Sequence, residues 1–219
     1  MTVGPVLILA SNSPRRRQLL SLVQWAFEVA PADIDESQKP NEPPTDYVLR
    51  LAETKAREVA PFYPNCLVLA ADTAVVDGND ILGKPAGPVE AVRVLQRLRG
   101  HTHQVLTAIA LFKASDEIHP RVDLCTTAVP MRLYTDEEID VYVATGDPLD
   151  KAGGYAIQNP GFHPVTALEG CYASVMGLPL CHLARSMRHF SLTPLVDVPS
   201  VCQAALSYDC PVYPAILGV

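Results

Sequence analysis

Long apolar runs and metal-type cysteine spacing are absent from this chain of 219 residues. No stretch approaches the ~18 apolar residues of a membrane span. The short run 6–10 precedes three arginines, whereas a signal peptide places its basic residues first. The six cysteines form no C-x-x-C pair and show no zinc-ligand spacing. We therefore expect a cytoplasmic protein with reduced thiols and no membrane partner.

An excess of positive charge is also absent. The net charge is -7 and the pI is about 5.3, which argues against a general nucleic-acid binder, because such proteins carry a basic face. Hydrophobic residues make up 48% of the chain and charged residues 19%, as in folded globular proteins. Any anion that this protein binds must therefore be met by locally placed positive charge.

Apolar runs alternate with amphipathic segments along the chain, which favours an α/β fold with a mixed sheet. Segment 35–44 is polar and proline-rich, and we expect it to be the most mobile part of the first half. Segment 192–219 shows no clear periodicity, and we interpret it as a loosely attached extension of unassigned role after a domain at 1–191. Strands are predicted at 6–11, 27–30, 67–71, 105–112, 124–131 and 172–176, a hairpin at 75–82, and helices at 14–24, 45–60, 90–98, 135–144 and 180–188.

The segment LILASNSPRRRQLL, residues 7–20, joins a buried-type strand to a basic loop and a helix. Pro14 suits the first position of that helix. A helix N-terminus flanked by hydroxyl groups and arginines can bind an anion such as a polyphosphate. This segment therefore predicts an anion site.

The helix TDYVLRLAETKAREVA places a lysine among apolar residues. At 100° per residue, Lys55 falls in the middle of the stripe formed by Val48, Leu51, Ala52 and Val59. Such a lysine either extends its ammonium from the edge of the core or meets an anion in a cleft. The helix alone leaves these two interpretations open.

Asp72 ends the apolar run LVLAA, and an aspartate in this position usually caps a turn. However, Thr73 and further apolar residues follow, so the strand continues and the carboxylate lies on a half-buried surface. A carboxylate in that environment needs a metal ion or a cation. Asp72 is therefore a candidate site residue at an edge where α/β sheets build their sites.

Two glycine-containing segments are weaker signals. GNDILGKP (78–85) matches the start of a P-loop, but Pro85 replaces the Ser/Thr that would hold magnesium and restrains Lys84 to an extended conformation. The P-loop interpretation therefore fails, although Lys84 can still contact a phosphate. In GDPLDKAGGYAIQ (146–158), the paired glycines would let the backbone approach a ligand closely.

In this order, the segments resemble the Maf family of nucleoside triphosphate pyrophosphatases. The similar segments are LASNSPRR, DIDES, RLAETKA, AADTAVV, LGKP, TGDPLDKAGGYAIQ and VMGLPL, which span about residues 6–187. The resemblance implies an elongated, two-lobed Maf/ITPase-like α/β fold with a central mixed sheet and a deep cleft, often as a homodimer. It also implies a divalent cation (Mg²⁺ or Mn²⁺) and hydrolysis of a nucleotide between its α- and β-phosphates.

The resemblance also assigns roles to residues. It implies that Asp72 is the catalytic proton acceptor. Arg15, Thr73 and Gln158 stand where the family sets its base preference, and relatives that favour 7-methyl-GTP have tryptophan, glutamine and glutamate there. This chain thus resembles the dTTP/UTP branch, although Ala156 and Asn159 replace usual glycines and suggest a different loop shape. The remaining positions line the phosphate and metal region: Ser13, Arg16, Glu36, Lys55 and Lys84.

Residue chemistry is consistent with these roles, because Glu36 and Asp72 supply hard oxygen ligands suited to magnesium or manganese. We expect Asp72 to orient or deprotonate a water that attacks the α-phosphorus. Alternatives are a 7-methyl-GTP pyrophosphatase, a nucleotide-sensing regulator of cell division without turnover, and a nucleic-acid binder that uses SPRRR. Removal of non-standard nucleotides is a further open role.

Overall fold

The computed structural model describes residues 7–115 and 120–219, and a six-stranded mixed sheet forms its centre. The strand order is β2-β1-β3-β5-β6, with β4 paired to the end of β3. β1 is parallel to β2 and β3, whereas the β3-β5, β5-β6 and β3-β4 pairs are antiparallel. The strands are β1 (Leu7–Leu9), β2 (Phe27–Val29), β3 (Leu67–Asp77), β4 (Asp80–Leu82), β5 (Thr102–Phe112) and β6 (Arg121–Pro130).

Eight α-helices lie in the described part of the chain. Four short 3₁₀ segments, 60–62, 147–150, 152–154 and 188–190, complete the regular structure. The helices are α1 (Pro14–Ser21), α2 (Pro44–Val59), α3 (Pro88–Leu98), α4 (Asp136–Ala144), α5 (Tyr172–Val175), α6 (Leu180–Met187), α7 (Val198–Leu206) and α8 (Tyr213–Leu217). Among these residues, no helix combines the length and apolar character needed to cross a membrane.

Three hydrophobic clusters stabilise this arrangement. One face of the sheet packs against the apolar stripe of α2, and the opposite face packs against α1, α5 and α6. The third cluster lies at the far ends of β3 and β5, where Val75 and Val105 contact apolar residues of α3 and α4. Two cores on the sheet faces and a third core at its end leave a cleft between them. The mixed sheet and the cleft expected from the sequence are therefore confirmed.

Local sequence explains most of these elements. Thr135 and Glu138 form the predicted capping box, in which the Thr135 side chain accepts from the backbone of Glu138 and the Glu138 side chain accepts from the backbone of Thr135. Prolines stand at the first turns of α1, α2 and α3, where a missing N–H costs no hydrogen bond. Val6, the expected first residue of β1, lies outside the described residues.

The prediction of a strand at 172–176 is wrong, because residues 172–175 form the short helix α5. A run of four apolar or small residues fits either state, and periodicity alone cannot separate them. Here the run packs against β5 and β6, and the backbone N–H of Met176 donates to the carbonyl of Tyr172, four residues earlier, at 3.1 Å. The local backbone bonds are therefore helical.

The segment 192–219 is not loosely attached, contrary to the sequence interpretation. Its prolines 199 and 214 lie in the first turns of α7 and α8, so they initiate helices instead of excluding them. Arg185 of α6 donates to the Ile216 carbonyl at 3.4 Å, and the Tyr208 hydroxyl lies 2.8 Å from the carbonyl of Leu168. Apolar side chains of both helices pack on the cluster that contains α6. The extension is therefore docked on the main body.

Candidate active site

A cavity of about 510 Å³ opens at the carboxyl end of β1, beside the middle of β3. β1 pairs with β3 from Leu7 to Leu9 and ends there, so the loop after it leaves space next to Asp72. Five cationic side chains line this cavity, although the whole chain carries a net charge of -7. They are Arg15, Arg16, Lys55, Lys84 and Lys151, and three carboxylates accompany them: Glu36, Asp72 and Asp150. Local positive charge therefore outweighs negative charge at this position.

The N-terminus of α1 contributes the first part of the site. The Ser13 side chain caps the helix by accepting from the Arg16 backbone N–H at 3.4 Å. This leaves the Ser13 hydroxyl proton available to a bound anion. Three bonds hold the Arg16 guanidinium, to the Gly177 carbonyl at 2.9 Å, to Ser11 Oγ at 3.2 Å and to Thr73 Oγ1 at 3.2 Å. Two of its five N–H groups therefore remain for a ligand.

Gly177 is required where the chain passes this guanidinium. Its φ of +106° is unfavourable for residues with a side chain, and an added Cβ would lie 3.3 Å from Thr73 Oγ1. The segment VMGLPL thus brings a carbonyl to Arg16 without blocking the cavity. Packing around the guanidinium lowers the pKa of Arg16 from its usual value, and the charge of Asp72 partly offsets this effect.

Lys55 connects two elements of the site. Its Nζ lies 2.7 Å from Asp72 Oδ1 on β3 and 2.6 Å from Glu36 Oε1 on the loop before α2. Lys55 and Asp72 are both buried, whereas Glu36 is largely exposed. The lysine in the apolar stripe therefore meets anions in a cleft, and those anions belong to the protein. Asp72 Oδ2 has no hydrogen-bond partner among the described residues, so it is free to bind water or a ligand.

The segment 35–44, expected to be mobile, is held by side-chain bonds. Arg50 of α2 donates to both oxygens of Glu42, at 2.5 and 2.8 Å, and to the Ser37 carbonyl at 3.0 Å. The Tyr47 hydroxyl donates to the Glu36 carbonyl at 2.9 Å. The hydrogen bond from Arg50 lowers the pKa of Glu42 to about 2. These bonds tie the loop that carries Glu36 to the same helix that carries Lys55.

The end of β4 meets the paired glycines, Gly153 and Gly154, at one rim of the cavity. The Gly153 N–H donates to the Gly83 carbonyl at 3.0 Å, and Gly153 has a φ of +70°. An added Cβ there would lie 2.8 Å from Val75 Cγ1. Gly153 therefore lets its own backbone pack closely against β3. From the sequence, the paired glycines were instead expected to let the backbone approach a ligand. Lys84 lines the cavity, is exposed and has no hydrogen-bond or ion-pair partner among the described residues.

The three positions expected to read the base all line the cavity. Arg15 lies 4.0 Å from Asp150, Thr73 bonds to Arg16, and Gln158 is exposed without a hydrogen-bond partner in the described part of the chain. The structure thus brings together Ser13, Arg15, Arg16, Glu36, Lys55, Asp72, Thr73, Lys84 and Gln158.

A polar network shapes the segment that carries Gln158. The Asp147 carboxylate accepts from the Tyr142 hydroxyl at 2.6 Å, from Lys151 at 3.0 Å and from Asn159 Nδ2 at 3.2 Å. Burial opposes ionisation of Asp147, but the bonds from Tyr142 and Lys151 outweigh it and lower the pKa of Asp147. Asn159 also accepts from the backbone N–H groups of residues 161 and 162. The residue that replaces a usual glycine therefore fixes the loop after Gln158.

Two further residues line the cavity, Lys151 and Tyr155, to which the sequence assigned no role. The Lys151 ammonium donates to the carboxylates of Asp147 and Asp150, so it balances charge within the loop. Tyr155 is buried, and its hydroxyl lies 2.8 Å from His103 Nε2. Burial lowers the pKa of His103 to about 4 and raises the pKa of Tyr155, so both are neutral near pH 7. The segment 146–158 was the sequence signal for this region, and it gave no sign of the contact between Tyr155 and His103.

Glu36 and Asp72 provide a chemically suitable half-site for a divalent cation. Their oxygens lie within 2.7 Å of one ammonium group, so the two carboxylates converge. Magnesium usually takes one or two carboxylates and completes its shell with waters and substrate phosphates. In residues 7–115 and 120–219, no group of three or more His, Cys, Asp or Glu side chains could hold a metal ion. The carboxylate pair therefore fits a metal that arrives with a phosphate ligand.

These features define an α/β protein with a cleft that is lined by cationic side chains and lies beside a buried carboxylate. Comparison with protein families identifies it further, because residues 6–190 match the model described as Maf-like protein. The chain belongs to the Maf family.

Proteins of two bacteria are similar to this chain over most of their length. A protein of Anaeromyxobacter dehalogenans (strain 2CP-1), named dTTP/UTP pyrophosphatase, is 48% identical, over 85% of this chain and 94% of the relative. A protein of Koribacter versatilis with the same name is 45% identical, over 85% of this chain and 95% of the relative. Among solved structures, a HAM1 protein from Coxiella burnetii aligns with a TM-score of 0.47 and 16% identity, over 85% of this chain and 98% of that one.

Proposed function

We propose that this protein hydrolyses nucleoside triphosphates to monophosphate and pyrophosphate, with preference for dTTP and UTP. One observation carries the proposal: a free carboxylate oxygen of Asp72 shares a cavity with five cationic side chains in an acidic protein. The name dTTP/UTP pyrophosphatase, carried by relatives 48% and 45% identical to this chain, supports the choice of substrate.

Four of the five cationic side chains, together with the Ser13 hydroxyl, divide into groups that remain available to a phosphate and groups that the protein already uses. Lys84, the Ser13 hydroxyl and two N–H groups of Arg16 remain available. Lys55 and Lys151 are bonded to carboxylates of the protein. The first group would hold the triphosphate, and Lys55 would keep two neighbouring carboxylates from repelling each other.

Asp72 is placed to act on water. In the proposed step, Asp72 Oδ2 accepts a proton from a water molecule while the water oxygen bonds to the α-phosphorus. The bond between that phosphorus and the oxygen bridging to the β-phosphorus breaks, and its electron pair leaves with pyrophosphate. General-base help of this kind contributes about 10²–10⁴-fold. A divalent cation held by Glu36 and by the other Asp72 oxygen, Oδ1, would leave Oδ2 to the water and would neutralise charge on the phosphate oxygens.

The base would lie against Thr73, Arg15 and Gln158, which line the cavity. A uracil or thymine edge offers an acceptor at O4, and a glutamine amide can donate to it. Gln158 has no partner among the described residues to compete with the base. The proposed preference therefore uses an amide donor that no described protein group occupies.

A screen for pyrophosphate release tests the proposal. UTP, dTTP, CTP, ATP, GTP and 7-methyl-GTP would be compared with Mg²⁺, with Mn²⁺ and with chelator. We expect turnover of UTP and dTTP that needs a divalent cation and is lost in Asp72→Asn. Binding of UTP without release of pyrophosphate would contradict the proposal and favour a sensor. A homodimer stays a prediction, checked by sedimentation.

A further inference from the structure

A chain of hydrogen bonds runs from the cavity into the core behind it. Arg16 Nη2 lies 3.2 Å from Thr73 Oγ1, which lies 3.0 Å from Thr107 Oγ1 on the neighbouring strand β5. Thr107 Oγ1 lies 2.8 Å from the carbonyl oxygen of Ser174. Thr107 is fully buried and does not line the cavity, whereas Thr73 is half-buried and does.

The two ends of this chain determine the direction of its hydrogen bonds. A guanidinium only donates, a carbonyl oxygen only accepts, and a threonine hydroxyl has one proton. Thr107 must give its proton to the Ser174 carbonyl, since two oxygens at 2.8 Å without a proton between them would repel each other. Thr107 therefore accepts from Thr73. The Thr73 hydroxyl donates its proton to Thr107 and accepts from Arg16.

We infer that Thr107 is a positioning residue for base choice, because it holds the Thr73 hydroxyl with its proton directed away from the cavity. Thr73 then offers a bound base a lone pair and no donor. Uracil and thymine carry a donor at N3, whereas cytosine carries an acceptor there. Thr73 thus accepts from N3–H of uracil or thymine and opposes cytosine.

This inference rests on the proposed function and adds what Gln158 cannot supply. A glutamine amide can rotate to present either its oxygen or its nitrogen, so it suits cytosine as well as uracil. The Thr73 hydroxyl cannot reverse while Thr107 holds its proton. Two buried acceptors that face each other cost roughly ten- to hundredfold in relative affinity.

Thr107→Val tests the inference, because valine keeps the shape and removes the hydroxyl that accepts from Thr73. The Thr73 proton is then free to turn toward the cavity. We expect the ratio of kcat/KM for UTP to that for CTP to fall at least about tenfold. Thr107→Ser should retain the wild-type ratio, because serine keeps the hydroxyl. Thr127→Val is the matched control: Thr127 is equally buried, on the next strand, and does not line the cavity.

An equal loss for both nucleotides in Thr107→Val, or the same change of ratio in Thr127→Val, would overturn the inference. Dissociation constants of UTP and CTP, measured in the Asp72→Asn background, separate this test from that of the proposed function. A wild-type protein that binds UTP without turnover contradicts the proposed hydrolysis. The UTP/CTP ratio of dissociation constants, with and without Thr107→Val, still decides the role of Thr107.

Discussion

Lys55 Nζ on α2 lies 2.7 Å from Asp72 Oδ1 on β3, and both side chains are buried beside the cavity. The ion pair joins a helix to the central strand at the point where β1 has already ended. Removing one partner of a buried ion pair costs more stability than removing both, because the remaining charge stays buried without compensation. The same two residues therefore affect both turnover and stability, and variants can separate the two effects.

Asp72→Asn should lower kcat by at least about 10²-fold while the protein remains folded. Asparagine keeps the size of the side chain but removes the negative charge and the basic lone pair. Steady-state kinetics with UTP, together with circular dichroism, measure both properties. Near wild-type turnover in a folded Asp72→Asn protein would show that Asp72 is structural.

Lys55→Met should lower both turnover and the melting temperature, because it leaves the Asp72 carboxylate buried without its cation. The double variant Lys55→Met/Asp72→Asn should recover stability relative to Lys55→Met but not recover turnover. Thermal unfolding of the four proteins forms a double-mutant cycle for the pair. Additive losses of stability would indicate that the two side chains do not interact.

Arg50→Ala should raise the metal concentration needed for half-maximal activity, because Arg50 ties the loop that carries Glu36 to α2. Arg57→Ala is the matched control, since Arg57 lies two turns further along the same helix, pairs with Glu53 on the surface and lies over the Phe112 ring, away from the cavity. A magnesium titration of activity compares the two variants. An equal response in both would remove the proposed link between Arg50 and the metal half-site.

Several features of this site could be predicted from sequence because they follow local rules. The position of Lys55 in an apolar stripe follows from helical periodicity, and the strand around Asp72 follows from an apolar run that continues past it. Thr107 could not be predicted in this way. Its role depends on Thr73 across a strand pair and on the Ser174 carbonyl, which lies 67 positions further along the chain.

The errors have the same origin. The short run at 172–175 fits a helix or a strand, and only its place beside β5 and β6 decides between them. A proline is unfavourable inside a helix but favourable in its first turn, so the prolines at 199 and 214 are compatible with a loop or with a helix start. Helices form here, and their apolar side chains pack on the cluster that contains α6. Tertiary contacts therefore supply what a local pattern leaves undetermined.

His103 should make the protein less stable in acid. Its folded-state pKa is lowered to about 4 from the usual 6.5, so the unfolded state binds more protons between these values. Stability from this group is therefore complete above about pH 6.5 and is lost as the pH falls toward 4, by an amount on the order of 3 kcal/mol.

His103→Gln should flatten the pH dependence of the unfolding free energy between pH 7 and 4.5, measured by urea denaturation. His189→Gln, at an exposed histidine, should leave this dependence as in the wild type. Parallel curves for wild type and His103→Gln would contradict the prediction.

Gln158→Glu should weaken hydrolysis of UTP and dTTP selectively. A glutamine amide can donate to O4 of the base, whereas a carboxylate can only accept. The carboxylate would thus face O4 as a second acceptor, at a cost of roughly 1–3 kcal/mol, or about ten- to hundredfold in kcat/KM. Methylated guanine is cationic, so 7-methyl-GTP should lose less or gain.

Asn159 makes this substitution informative, because its bonds to Asp147 and to the backbone at 161 and 162 fix the loop that carries residue 158. The variant should therefore change the chemistry of the contact and not the shape of the loop. The measurement is kcat/KM for UTP, dTTP, CTP and 7-methyl-GTP in both proteins, with Asn159→Gly as a control that frees the loop but keeps the amide. Equal losses for all four nucleotides in Gln158→Glu would mean that Gln158 does not read the base, and the choice of uracil or thymine would then depend on Thr73 and Arg15.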